Sequence, residues 1–148
     1  MALFDAGGIF SDHQAVTATA VSTNSIDTHA MGTVVGATGA LTFDLGVSDI
    51  QILVQVTEAF ASLTSLTVTL EMDDNSSFSS PTTIATTPAV LAATLVAGYR
   101  FPAFTPTIPE GAIERYIQLK FTVAGSNATA GTIFAGIVAA RPMAIRKL

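Results

Sequence analysis

Apolar and polar side chains alternate strictly over several short stretches of this chain, which is the period of a strand with one face in a core. Leu66, Val68, Leu70 and Met72 are separated by Thr67, Thr69 and Glu71, and Ile117, Leu119, Phe121 and Val123 by Gln118, Lys120 and Thr122. Both stretches predict strands, over 66–72 and 116–123. A third, 50–56, alternates in the same way but carries Leu53 on its second face, while 132–139 is apolar on both faces. The last pattern predicts a strand covered on both sides, either central in a sheet or inside an interface. Shorter alternations at 16–20, 40–44, 83–85, 91–95 and 100–104 bring the total to about eight or nine strands.

Turn-forming clusters punctuate these stretches: Gly32, Gly36 and Gly39, then Asp73-Asp74-Asn75-Ser76-Ser77, residues 106–111, and Gly125-Ser126-Asn127. Many short strands, frequent turns and no sustained 3.6-residue period predict an all-β fold, an antiparallel jelly roll or β-sandwich. Residues 59–63 and 88–93 are alanine-containing enough for a turn of helix each. The expected organisation is an N-terminal arm over 1–12, a sandwich domain over 13–140 and a basic C-terminal tail over 141–148. The arm mixes Leu3, Phe4, Ile9 and Phe10 with Gly7-Gly8 and follows neither period. Such a segment docks on its own barrel or on another subunit, since termini stay ordered only when anchored.

Composition changes what the surface of this fold must look like. Hydrophobic residues make up 49% of the 148 residues and charged ones only 11%, against about 25% in an ordinary soluble domain. A spanning helix needs about 20 consecutive apolar residues, and the richest run, 133–140, is far shorter. The expectation is therefore a subunit whose weakly ionic exterior is covered by neighbours. The first residues hold Asp5 where an export signal is basic, so synthesis and residence in a cytoplasm are expected. With no cysteine, disulfides and thiolate chemistry are excluded. The formal charge is −5, which argues against a nucleic-acid partner. Arg141, Arg146 and Lys147 sit in the tail, leaving three basic against all eleven acidic groups over 1–140, a balance of −8.

Motifs for catalysis or cofactor binding are sparse. His13 and His29 are the two histidines; each has a neighbouring aspartate, Asp12 or Asp27, but no metal-ligand spacing accompanies them. No nucleophile elbow or phosphate-binding glycine loop is present. The Asp73 cluster lacks the spacing of a calcium loop and reads as a hairpin loop whose side chains bond back to their own backbone. Glu110 and Glu114 flank Gly111 in a loop, where solvation is the expected role. No catalytic, cofactor or metal residue is predicted. Tyr99 and Arg100, after Gly98, form a pair of the type that anchors protein interfaces, or else a packed strand end. They join Leu3, Phe4, Ile9, Phe10, Arg141, Arg146 and Lys147 as candidate subunit or capsid contacts.

Three stretches carry a resemblance. Phe10-Ser11-Asp12-His13-Gln14-Ala15-Val16-Thr17-Ala18-Thr19-Ala20 with Ser22-Thr23-Asn24, residues 64–85 with the loop Asp73-Asp74-Asn75-Ser76-Ser77-Phe78-Ser79-Ser80-Pro81, and Leu95-Val96-Ala97-Gly98-Tyr99-Arg100 leading to Arg115-Tyr116-Ile117-Gln118-Leu119 resemble the capsid-stabilising cement, or decoration, proteins of tailed bacteriophages of the Bordetella-podophage type. The resemblance implies a structural virion protein: a jelly-roll subunit that forms homotrimers on the outer surface of an icosahedral head and bridges adjacent major capsid proteins. It implies no catalytic residue and no cofactor, and no membrane or nucleic-acid partner. In that setting the basic tail would meet an acidic capsid surface in a salt-sensitive contact. Two other classes stay open on the residues alone: a non-enzymatic ligand- or glycan-binding sandwich of a virion tail, and a small hydrolase using His13 or His29.

Overall fold

A computed structural model describes residues 6–28, 33, 35–39, 51–102, 111 and 113–138. Its strands are β1 (Ile9–Ala15), β2 (Ala20–Val21), β3 (Ile26–Asp27), β4 (Gln51–Ala61), β5 (Ser65–Asp73), β6 (Thr82–Thr86), β7 (Val90–Leu91), β8 (Tyr116–Ala124) and β9 (Ala130–Val138), with single 3-10 turns at Ala6–Gly8 and Ala92–Thr94. All pairings between these strands are antiparallel. Among the described residues no helix is long and apolar enough to cross a membrane.

The two clearest alternating stretches pair with each other. β5 and β8 run in unbroken register from Ser65 opposite Ala124 to Asp73 opposite Tyr116. Leu66, Val68, Leu70 and Met72 thereby share one buried face with Ile117, Leu119 and Phe121, and their partners Thr67, Thr69 and Lys120 lie on the other. β2 and β3 continue the sheet beyond β8, and β6 and β7 continue it beyond β5. The second sheet has three strands in the order β1-β9-β4. Its inward side chains, Phe10, Ile52, Val54, Val56, Phe60, Ile133 and Ala135, join those of the first sheet in a single apolar cluster. The result is a β-sandwich, in which each fully buried Val, Leu, Ile or Phe contributes about 1.5–3 kcal/mol relative to exposure.

The doubly apolar stretch is the central strand β9, flanked by β1 and β4, and its outward Gly136 and Val138 are buried as well as its inward Ile133 and Ala135. Other expectations shift. β1 starts within the segment read as an arm, and its period is hidden because the ladder slips between Ile9 and Ser11 and again between Ser11 and Gln14; His13, inside the second slip, has φ of 50°. Residues 59–61, considered for helix, extend β4, because β9 keeps pairing through irregularities at Glu58 and Ala61 and Phe60 fills the core.

Residues 16–20 and 91–95 are not continuous strands, for a shared reason: at both places the chain changes sheet. Val16 N–H still donates to Gly131 in the small sheet, Thr17 C=O accepts from Ala128, and Ala20 then pairs with Phe121 in the large sheet. In the second crossing, β7 lies on β5, Ala92 N–H donates to Thr64 C=O, and the chain then follows the free edge of β4. There Leu95 accepts from Phe60, Tyr99 from Val56 and Val56 from Gly98, and Phe101 donates to Val54. Arg100 forms an isolated bridge with Gln55, so 100–101 is an edge pairing, and 103–104 lie outside the described residues, as do 40–44.

Candidate interaction surface

The ionisable side chains divide the sandwich into two unlike ends. At the end where β5 finishes and β8 begins stand Asp27, Asp73, Asp74, Glu114 and Arg115. Arg115 makes a two-pronged contact with Asp27, 2.9 Å from Nε to Oδ1 and 2.7 Å from Nη2 to Oδ2, and its guanidinium lies 5.0 Å from the ring centre of Tyr116. This paired geometry holds the guanidinium above its ordinary pKa, chiefly through the hydrogen bond to Asp27. Thr28 N–H and Oγ1 both donate to Arg115 C=O, which fixes residues 26–28 to the start of β8.

Asp73, only 1% exposed, organises the β5–β6 loop. Its Oδ1 accepts from Asn75 N–H at 2.9 Å and its Oδ2 from Ser80 N–H at 2.9 Å, while Asn75 Oδ1 accepts from Ser77 N–H. The hairpin-loop expectation is met in atomic detail. The backbone donors Asn75 and Ser80 hold the Asp73 carboxyl below its ordinary value of 3.8. A depressed folded-state value means stability that is present above the unfolded pKa and lost as pH falls through the folded one. Asp73→Asn is accordingly expected to lose stability less steeply than the parent below about pH 4, measured by urea unfolding at stepped pH, with the two curves differing most near neutrality.

Charge in the middle of the large sheet is also internally paired. Glu71 is 5% exposed; its Oε2 accepts from Gln118 Nε2 at 3.0 Å and its Oε1 lies 3.4 Å from Lys120 Nζ. Asp12 and His13 form an exposed pair, Oδ1 to Nδ1 2.7 Å. Among the described residues no three His, Cys, Asp or Glu side chains gather as a metal site would require; His29 and Glu110 lie outside the described residues.

The opposite end is of another kind. Residues 15–20, 61–65, 87–97 and 124–131 contain no Asp, Glu, Lys, Arg or His. They meet there because β5 begins at Ser65 beside Ala124 and Leu91, and β4 ends at Ala61 beside Ala130. Thr64, Ser126, Asn127 and Thr129 are exposed on it. At its corner the second sheet crossing projects Leu91, 61% exposed, and Val96, 54% exposed. Surface without ions loses little hydration when covered, and charge depletion with exposed apolar anchors marks the cores of protein interfaces.

Of the contact candidates taken from sequence, Tyr99 and Arg100 lie on this corner segment. Tyr99 is half-buried with its ring edge-on to Phe101 at 5.3 Å, and Arg100 is exposed. Ile9 and Phe10 lie in β1 and pair within the protein's own small sheet, Phe10 being 0% exposed. Leu3, Phe4, Arg141, Arg146 and Lys147 lie outside the described residues. Sequence reasoning passed over Leu91, Val96 and Glu58, which flank the same corner. The available signal was the long run free of charge on either side of Leu91, which alternation analysis treats as ordinary strand and turn.

A protein-family model described as Bbp16 matches residues 10–137. No curated protein matches the chain.

Proposed function

Because the chain belongs to the Bbp16 family, a family of Bordetella phage proteins, we propose that this phage protein is a capsid cement protein. It binds as a homotrimer to the outside of the icosahedral head, bridges neighbouring major capsid proteins and performs no chemistry. The observation that carries this reading is the division of the sandwich: one entire end lacks ionisable side chains among the described residues and exposes Leu91 and Val96. The paired charges elsewhere also fit a scaffold, since Glu71, Asp73 and Asp27 are each engaged in holding local structure.

The mechanism is linkage. A protein that binds only the assembled lattice stabilises that lattice in proportion to the logarithm of its concentration over its dissociation constant. A stable contact of this class buries about 1,200–2,000 Å² in total, and repetition over the head lets many modest contacts resist the outward pressure of packaged DNA.

The test is addition of the purified chain to expanded heads that lack it. Saturable binding and a rise in the temperature at which the heads disrupt are expected. Absence of binding, or selective binding to a glycan array without binding to heads, replaces the cement reading with that of a tail ligand-binding module.

A further inference from the structure

We infer that copies of this chain meet at the Leu91–Val96 corner, with Glu58 of one copy facing Arg100 of the next across an apolar centre. The inference takes self-association from the reading above and names the contact that produces it.

Backbone pairing fixes the geometry. Phe60 donates to Leu95, Val56 donates to Tyr99 and accepts from Gly98, so Glu58, midway between Val56 and Phe60, lies level with the turn of residues 96–98. Arg100 bridges Gln55, farther along the same edge. Three strand positions between Gln55 and Glu58 correspond to about 10 Å, so the two charges straddle the turn that carries Val96. That turn is preformed: Tyr99 N–H donates to Val96 C=O, and Gly98 has φ of 91°, a conformation suited to glycine. A contact surface that is already ordered loses little entropy when it is covered.

The charges select the occupant. The chain is acidic, at −5 overall, so two copies repel unless the meeting surfaces carry both signs. Glu58 and Arg100 are exposed, and neither forms an ion pair among the described residues. A patch that presents one unpaired acid and one unpaired base on either side of exposed apolar side chains is complementary to itself. Around a symmetry axis each copy's Glu58 reaches the next copy's Arg100 while the Leu91 and Val96 side chains cluster at the centre. An unrelated partner would need a matching pair of opposite charges at the same spacing; a second copy supplies it automatically.

The experiment is a charge swap in the full chain: Glu58→Arg, Arg100→Glu and the two combined, with sedimentation and mass measured over a concentration series at moderate salt. All sites are at the exposed rim, and far-ultraviolet circular dichroism verifies that each variant is folded. Each single reversal places like charges together and is expected to weaken self-association by about tenfold or more, and the double reversal to restore it. Single variants that associate like the parent, a double variant no better than the singles, or a parent chain that is monomeric at every concentration overturns the contact. Binding of the same proteins to heads keeps the claims separable: an unperturbed oligomer that still saturates heads removes this contact and leaves the cement reading standing.

Discussion

Phe10→Ala lowers the stability of the isolated chain by about 3–5 kcal/mol, the range for truncating a fully buried phenylalanine. Against a total of about 5–15 kcal/mol for a domain of this kind, that is enough to leave a substantial unfolded fraction. The side chain has no exposed surface and belongs to the single core that joins the two sheets. Its strand is held independently by hydrogen bonds. Asn24 N–H donates to Phe10 C=O, Asn24 Nδ2 to Ile9 C=O, and Gln14 links Ser11, Val21 and Thr23 through its amide. The truncation thus leaves a cavity that the neighbouring backbone cannot collapse to fill. Urea unfolding of the purified chain decides the matter. A midpoint unchanged by the substitution would mean that Phe10 is held by another subunit instead of by its own core.

The second large effect is expected at Gly131. Its φ is 132°, and a Cβ placed there would lie 2.3 Å from Cδ1 of the Phe60 ring and 2.5 Å from its Cγ. Gly131→Ala therefore combines a backbone conformation that costs a side-chain-bearing residue about 1–3 kcal/mol with overpacking of about 1–3 kcal/mol. A loss of about 2–6 kcal/mol follows. Because part of the penalty belongs to one contact, Gly131→Ala in a Phe60→Leu background costs less than the sum of the two single changes. Strict additivity in denaturant unfolding would show that the ring and the glycine do not meet.

Legibility of the fold followed regularity of register. β5 and β8 were visible because their ladder is unbroken, so an inward residue at one position guarantees one two positions later. β1 was not visible, because two slips within a seven-residue strand reset the inward face each time. Residues 16–20 alternate as a strand should, yet the chain uses them to pass from one sheet to the other. Alternation reports which side chains face a core, and a crossing segment at the rim of a sandwich satisfies that condition without a partner strand. The contact surface was harder still. Arg100 was recognisable by residue type, whereas Glu58 and Leu91 became meaningful only when the free edge of β4 brought segments distant in sequence to one corner.

The central place of β9 in the small sheet bears on how the protein is made. Both of that strand's neighbours precede it, β1 by more than a hundred residues, and neither pairs with the other. On a translating ribosome the chain can assemble β5 with β6 early, but the three-stranded layer has no middle until residues 130–138 have emerged. Half of the core waits exposed through most of synthesis, and long-range closure of this sort is slow. Nascent chains are thus most in need of chaperone shelter in the interval just before their ninth strand appears.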